Sequence, residues 1–420
     1  MDDFISLQYY CIDYTKDTIM HKPTLFGYGL TTKAIAKKLG GGCIFYDDKA
    51  EKPYIDSDDN QIFPSHLFDP EKSELEVTTP SFPPSHPLVK AAKNMISEYD
   101  FFAKEMPFSI WISGTNGKTT TTQMLTHLLK KRGGVSGGNI GTPLAELDTK
   151  APIWILESSS FTLHHTNIAS PNIYLLLPIT PDHLDWHGTA EEYEADKLKP
   201  LLTMKEGEMA LVPKGLNLPE TNAFVVEYDS AEFLAEYFSI DTSKIRFKAA
   251  FLEDALIALA VTKVLFDEID YETINTFTLD NHRQEETKDY LGRVWVNDSK
   301  ATNLDATVQA VKGYDDKFIH LILGGNDKGA DLTSLFELMQ GKKLHLYTIG
   351  ANSEKLARLS QEHEINFTTC ETLENAIKTI WGKRTQDDIA LLSPAAASFD
   401  QFNSYKHRGE EFFRIIKSIR

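Results

Sequence analysis

Three α/β domains in series are what this sequence predicts, and three observations predict them. Short apolar segments alternate with glycine-bearing turns and amphipathic helical runs. That rhythm restarts near Thr24, near Phe108 and again after the stretch DNHRQEE, each time on a new strand-like segment. The chain of 420 residues is long enough for about two to four domains with real cores, and it shows no short-period repeat or low-complexity tract.

The first block begins TLFGYGLTTKAIAKKLG, a short apolar strand, a glycine turn and an amphipathic helix. A second strand, GCIFYDD, ends in Asp47 and Asp48, which is how a Rossmann-like unit opens. The turn amides at Gly29 and the Thr31 hydroxyl suit a diphosphate; a bare GxG could equally indicate a dinucleotide. The stretch TTPSFPPSHP then interrupts regular structure before a helix from about Leu88. This N-terminal domain is taken as residues 1–96.

The second block, 97–280, carries the strand FSIWIS and then GTNGKTT, Gly114 to Thr120, opening a helix. The glycines let backbone N–H groups turn toward an oxyanion, and the helix adds the positive end of its dipole. The usual loop is GxxxxGK[ST]; here only Thr115 and Asn116 separate Gly114 from Gly117, Lys118 and Thr119. Lys118 would lie along the β- and γ-phosphates and the Thr119 hydroxyl would ligate Mg2+. A carboxylate at the end of a neighbouring apolar strand usually completes such a site, and PIWILE supplies Glu157. On its own Glu157 could instead bond the hydroxyls of the following SSS. Strand NIYLLLPIT and the helical run EDALIALAVTKVLF complete a central P-loop ATPase-type α/β domain.

Beyond the strand NIYLLLPIT lies TPDHLDWHGTAEEYEADKLKP. His183 and His187 are four apart, but LDW lacks the glutamate of a zincin, and Pro181 and Gly188 argue for a loop. A lone histidine such as His183 otherwise reads as packing or a surface hydrogen bond. Thr189 and Glu192 form a capping-box pattern, so Lys197 falls on a helix, where the plain expectation is an exposed pair with Tyr193 or Glu194.

The third block, 281–420, has strands RVWVND, FIHLILGG, KLHLYTIG and DIALLSP separated by helical stretches, a parallel Rossmann-like arrangement. Across the chain the net charge of −18 argues against nucleic acid or anionic membrane as partner. Cys11, Cys43 and Cys370 are too few and too scattered for a disulfide framework or a four-cysteine zinc site, as expected in a reducing cytoplasm. The start MDDFISLQYY does not read as a signal peptide, and no apolar run approaches the ~20 residues of a membrane helix.

The clipped loop GTNGKTT resembles that of the Mur ligases, ATP-dependent amide-forming enzymes of peptidoglycan precursor synthesis. NHR (281–283), VNDSKATN (296–303), GGNDKGAD (324–331) and LLSPAAASFDQF (391–402) narrow the resemblance. Together they are similar to the branch that adds D-glutamate to UDP-N-acetylmuramoyl-L-alanine. The motifs run in order from Gly27 to Tyr405.

That resemblance implies ATP and two Mg2+ ions. The first ion falls to Thr119 and Glu157, the second to His183 and Lys197, with Lys197 carried as N6-carboxylysine. It places Arg283 at the ATP phosphates, Asp298 near the ribose, and Lys300 toward the phosphoryl group in transfer. Gly29 and Thr31 become the UDP cradle, and Asn139 of SGGNIGTP lies near the sugar-peptide, although it could simply brace a turn. Thr302, Lys328 and Ser398 are implied for D-glutamate, with Phe399 and Tyr405 closing the pocket; in isolation each reads as a turn or surface residue. The chain is expected to act as a monomer on these two small substrates, without nucleic acid and without membrane insertion. Two departures stand out: Thr32 replaces a third glycine, and Phe251 and Asp254 replace asparagines on the adenine side.

Overall fold

The computed structural model describes residues 22–139 and 141–419. Cys11, the MDDFISLQYY start and Ile140 of the SGGNIGTP turn lie outside the described residues. Each of the three blocks folds around its own six-stranded sheet.

The first sheet holds β1 (Thr24–Phe26), β2 (Ile44–Asp47), β3 (Tyr54–Ile55), β4 (Gln61–Pro64), β5 (Glu76–Thr78) and β6 (Met95–Ile96), in the order β3-β4-β2-β1-β5-β6. The second holds β7 (Phe108–Ser113), β8 (Gly134–Gly138), β9 (Ile153–Glu157), β10 (Ile173–Leu176), β11 (Met209–Pro213) and β12 (Phe224–Tyr228), ordered β12-β11-β10-β7-β9-β8. The third holds β13 (Glu285–Lys288), β14 (Val294–Asn297), β15 (Ile319–Leu323), β16 (Leu344–Ile349), β17 (Phe367–Glu371) and β18 (Ile389–Leu392), ordered β13-β14-β18-β15-β16-β17.

Packing divides the described chain into two compact units. One runs to Lys104 and adds Pro143–Glu146 and His165–Ile168; the other holds Glu105–Thr142, Leu147–His164 and everything from Ala169 onward. The second and third sheets therefore share a unit.

The second sheet is parallel throughout, and β7, β9 and β10 are buried along nearly their whole length. That is why they read as continuous apolar runs rather than as alternating patterns. Helix Lys118–Leu129 packs with helix Ala250–Phe266 over the same core, which joins Met124, Leu125 and Leu129 to Ala255, Leu256 and Leu259. The second helix is buried through most of its turns, so its sequence is apolar all round.

The outer strands differ from the expectation of a purely parallel third block. β13 pairs antiparallel with β14, and β3 with β4. The five residues between β13 and β14 allow only a tight return, which an antiparallel pair accepts and a parallel crossover does not. The stretch after His183 also differs: Leu184–His187 forms one helical turn rather than a loop, stopped by Gly188. The Thr189 cap is present, its hydroxyl accepting from the Glu192 amide at 3.1 Å ahead of helix Ala190–Leu198. Among the described residues no helix is long and apolar enough to cross a membrane, and Cys43 and Cys370 are buried free thiols.

Candidate active site

β7 lies inside its sheet, and its carboxyl end runs directly into residues 114–117 and helix Lys118–Leu129. In an open parallel sheet the crevice beyond the strand ends is where ligands bind. Gly114 has φ +140°, and a Cβ there would sit 2.5 Å from the Leu177 Cβ, so only glycine fits where the chain leaves the strand.

Two lysines meet at that turn. Lys118 Nζ donates to the carbonyls of Gly114 and Thr115, both at 2.9 Å. Lys197 Nζ, at 1% exposure, reaches the same Gly114 carbonyl at 2.8 Å and the Ser113 hydroxyl at 3.4 Å. The expected exposed pairing of Lys197 is therefore absent; its ammonium instead lies over the Tyr193 ring, 4.6 Å from the centroid. Burial drives the Lys197 pKa well below that of a free lysine, and the neighbouring Lys118 charge adds to the effect against Asp182 and Asp196. Lys118 is lowered too, chiefly by burial, with Glu157 and Asp182 opposing and Arg283 adding to the lowering.

Glu157 ends β9 at 3% exposure, in register with Ile112 of β7 and Gly138 of β8. Its Oε1 accepts from Asn139 Nδ2 at 2.8 Å, and its backbone carbonyl accepts from the Asn139 amide at 2.8 Å. Asn139 is thus fixed to Glu157 twice, once at the carboxylate and once at the backbone carbonyl. Thr119 is half-buried at the start of the helix. His183, in the left-handed region at φ +53°, stands largely exposed beside Asp182, its ring against Phe161.

Behind Lys197 lies a network that sequence reasoning missed. Asp196 accepts from His187 Nδ1 at 2.8 Å and pairs with His164 Nδ1 at 2.9 Å, while His187 Nε2 meets the Ser160 hydroxyl at 3.0 Å. Burial holds His187 toward its neutral form, with Asp196 opposing. The network ties helix Ala190–Leu198 to helix Ser160–His164, and so fixes where Lys197 points. The signal was the spacing of His164, His187 and Asp196 across three elements, which no local pattern reveals.

The third block reaches the same loop. Arg283 Nη1 donates to the Thr120 hydroxyl at 2.6 Å, and Asn303 Nδ2 to Asn116 Oδ1 at 3.2 Å. Lys300 pairs with Asp280 at 3.1 Å, and Asp280 also accepts from Gln123 on the loop's helix at 3.1 Å. Asp298 is enclosed, accepting from the Ser393 hydroxyl at 2.8 Å and the Gln284 amide at 3.3 Å, and burial pushes its carboxyl up to about 7.

The residues expected at D-glutamate occupy neighbouring loops. Asn326 and Ala397 exchange both backbone hydrogen bonds at 2.9 Å, zipping the Lys328 loop to the Ser398 loop. Ser299 donates to the Tyr405 carbonyl at 2.8 Å, which ties in the loop carrying Thr302. Thr302 and Lys328 are exposed and Ser398 is buried; Phe399 projects at 71% exposure and Tyr405 is half-buried.

In the first unit, Tyr28 N donates to Asp47 Oδ2 at 2.7 Å, and Asp48 is engaged with Ser65 and His86. Thr32 is fully buried, its hydroxyl donating to the Gly27 carbonyl and accepting from the Gly29 amide at 3.3 Å. The residue that replaces a glycine therefore braces the turn instead of blocking it. Gly29 is exposed and Thr31 half-buried at the start of helix Leu30–Lys38.

Asp254, where an asparagine was expected, accepts from the Thr121 hydroxyl at 2.8 Å, and an ideal Cβ on Gly117 would lie 2.7 Å from its Oδ1. It lies directly against the 114–120 loop. Burial pushes its carboxyl up to about 7, with Thr121 and Arg283 opposing. The folded protein thus keeps this proton where the unfolded chain has lost it. Its contribution to stability falls as pH rises from the ordinary carboxylate range to about 7, and is level above that. Asp254→Asn keeps an acceptor for Thr121 and is expected to be more stable at pH 8 by on the order of 2 kcal/mol, a gain that shrinks toward pH 4. Denaturant midpoints of both proteins across that range check it; parallel pH profiles would count against it.

Among the described residues no group of three or more His, Cys, Asp or Glu side chains is arranged to hold a metal ion. The donors expected there, the Thr119 hydroxyl at the start of helix Lys118–Leu129 and the Glu157 carboxylate at the end of β9, are hard oxygens. They fit Mg2+, which binds through one or two carboxylates and completes its shell with phosphate oxygens and water.

Residues 112–249 match the Mur ligase middle domain. A UDP-N-acetylmuramoylalanine–D-glutamate ligase of Campylobacter jejuni (strain 81-176) is 49% identical over 401 residues, covering 95% of this chain and 100% of its own. The enzyme of the same name from Helicobacter pylori (strain 26695) is 43% identical over 418 residues, covering 94% and 99%. Among solved structures, MurF ligase from Thermotoga maritima in complex with ADP superposes with a TM-score of 0.57 at 16% identity, covering 89% of this chain and 94% of that one. UDP-N-acetylmuramate-alanine ligase MurC from Thermotoga maritima gives 0.53 at 14% identity, covering 94% and 98%; both likenesses speak for the fold.

Proposed function

The chain belongs to the UDP-N-acetylmuramoylalanine–D-glutamate ligases of the Mur ligase family, and from that membership we propose how its own residues carry out the reaction. It is an ATP-dependent ligase that joins D-glutamate to UDP-N-acetylmuramoyl-L-alanine in peptidoglycan precursor synthesis. The dinucleotide alternative left open by the GYG turn falls away with that assignment. We take residues 1–96 as the UDP-sugar domain, 97–280 as the ATP domain and 281–420 as the amino-acid domain, in a chain that works as a monomer in the cytoplasm.

An amide cannot form directly from a carboxylate in water, because the oxide is a hopeless leaving group. Phosphoryl transfer from ATP to the L-alanyl carboxylate gives an acyl phosphate; the D-glutamate amine then attacks the carbonyl and expels phosphate. The demand on the protein is positive charge and hydrogen-bond donors where two anions are brought together. The 114–120 loop answers it with backbone amides and Lys118, and Arg283, already bonded to Thr120, adds a cation from the third block. Asp298 is assigned to the ribose and Lys300, released from Asp280, to the phosphoryl group. Two Mg2+ ions, one at Thr119 and Glu157 and one at His183 and a carboxylated Lys197, would screen the remaining charge.

One observation carries this reading. Lys118 and Lys197 share the Gly114 carbonyl, and two enclosed ammonium groups on one acceptor repel each other. Releasing a proton from Lys197 relieves the repulsion and leaves the neutral amine that reacts with CO2, giving a carbamate and one proton. A cation that crowds the loop thereby becomes an anionic oxygen ligand. For the other substrate, Gly29 and Thr31 are assigned to the UDP diphosphate, and Asn139 to the sugar-peptide. Thr302, Lys328 and Ser398 are assigned to the two carboxylates of D-glutamate, with Phe399 and Tyr405 closing over it.

The reading is tested by supplying ATP, Mg2+ and UDP-N-acetylmuramoyl-L-alanine to the purified protein with D- or L-glutamate as separate acceptors. ADP release with the D-isomer, at least about a hundredfold above that with the L-isomer, is expected. Release that is equal for both, or absent with both, would overturn it.

A further inference from the structure

We propose that Arg408 is a positioning residue for the amino-acid pocket, a buried cation that holds the three loops assigned to D-glutamate in one arrangement. The proposal rests on the assignment of that pocket under the function above. Arg408 sits in the first turn of helix Tyr405–Ser418 and is 1% exposed. Its Nε donates to the Ser299 hydroxyl at 2.9 Å, and its Nη2 donates to the Ser299 carbonyl at 2.9 Å and the Ala396 carbonyl at 3.0 Å. The remaining arm lies against Gly325, where an ideal Cβ would be 3.4 Å from Nη1 and only 2.5 Å from the Ala397 carbonyl.

The three residues touched, Ser299, Gly325 and Ala396, fall one in each of three motifs. Ser299 belongs to VNDSKATN with Thr302, Gly325 to GGNDKGAD with Lys328, and Ala396 to LLSPAAASFDQF with Ser398. The Ser299 hydroxyl, while accepting from Arg408, donates to the Tyr405 carbonyl at 2.8 Å, so the helix start joins the same knot. The next residue, Gly409, is pressed against His282 and Asn297; its carbonyl accepts from Asn297 Nδ2 at 3.0 Å, and a Cβ there would lie 2.3 Å from the His282 ring. The helix therefore cannot shift without moving the end of β14.

The chemistry selects arginine over lysine. A guanidinium presents its donors in a rigid planar fork, so oxygens on two separate loops are held at fixed directions from one side chain. A lysine has one nitrogen and would satisfy the same oxygens only by drawing them together. Among the described residues no carboxylate hydrogen-bonds the guanidinium, and Asp400 acts on it through its charge. Burial lowers its pKa to about 10, which leaves it a cation throughout the physiological range. The oxygens that receive it are neutral, so Asp400 alone offsets part of its charge beside a pocket assigned to a dicarboxylate.

The test uses Arg408→Lys, Arg408→Ala and Lys328→Ala in the full chain, with KM measured separately for D-glutamate and ATP. Arg408→Lys is expected to raise the KM for D-glutamate about tenfold or more while the KM for ATP stays within about twofold, since misplacing ligating groups by about an ångström is costly. Millimolar guanidinium should restore part of the D-glutamate affinity of Arg408→Ala. A wild-type KM for D-glutamate in Arg408→Lys, or equal rises for both substrates, overturns the proposal. If Lys328→Ala raises the KM for D-glutamate and Arg408→Lys does not, the pocket assignment stands and only this role is lost. If neither variant changes it, the pocket assignment falls and takes the proposal with it. Should Arg408→Ala not fold, the lysine variant decides alone.

Discussion

Lys197→Ala is expected to lower turnover about a thousandfold, with formate or acetate restoring a measurable part of it. The size follows from the proposed role of Lys197 as an oxygen ligand where charge develops, taken as comparable to losing one oxyanion-hole donor, about a hundred- to a thousandfold. The rescue follows from what the side chain is assigned to become. A short carboxylate has the oxygen pair of a carbamate, and truncation to alanine leaves room in a pocket whose other walls are Ser113, Gly114 and Tyr193. If Lys197 acted as an ammonium, carboxylates would not help and methylamine would. Single-turnover ADP release with each additive separates the two cases. Full activity of the variant without additive would remove Lys197 from the mechanism. The wild-type protein should also take up 13C-labelled bicarbonate as a carbamate resonance that Lys197→Ala lacks.

How much of this was legible beforehand depends on whether a residue acts through its neighbours in sequence or in space. The glycine turn between β7 and helix Lys118–Leu129 was readable because its pattern is local. A strand end, two glycines, a lysine and a threonine lie within a few residues, and the helix that follows orients them. The buried strands were equally plain, since β9, β10 and β15 are apolar but for the buried Glu157 at the end of β9 and the buried His320 in β15. Glycine-rich β8 and the short outer strands β3 and β13 were not, because partner strands rather than composition hold them. Lys197 shows the harder limit: EADKL has the composition of a solvated helix face, yet the network of Ser160, His164, His187 and Asp196 turns that face inward. Arg408 carries no local signal at all, because the oxygens it serves are donated by loops about 110 and 12 residues away in the chain.

Lys118→Met and Lys118→Arg are expected to fail for different reasons, which separates the two tasks of that side chain. Both should lose about a thousandfold in kcat/KM. The methionine has no donor for the phosphates, and the arginine fork cannot take the place of a compact ammonium that reaches the Gly114 and Thr115 carbonyls at 2.9 Å. Their effects on Lys197 should diverge. The Lys118 charge is the second cause, after burial, of the depressed Lys197 pKa. A neighbouring cation disfavours the ammonium, so removing it lets the Lys197 pKa rise, and the neutral fraction that reacts with CO2 falls. At limiting bicarbonate, without metal or nucleotide, Lys118→Met should therefore show a weaker carbamate resonance than wild type, while Lys118→Arg, which keeps the charge, should retain it. Equal carbamate in all three proteins would mean that burial alone sets the reactivity of Lys197. In that case the shared Gly114 carbonyl places two lysines side by side without coupling their protons.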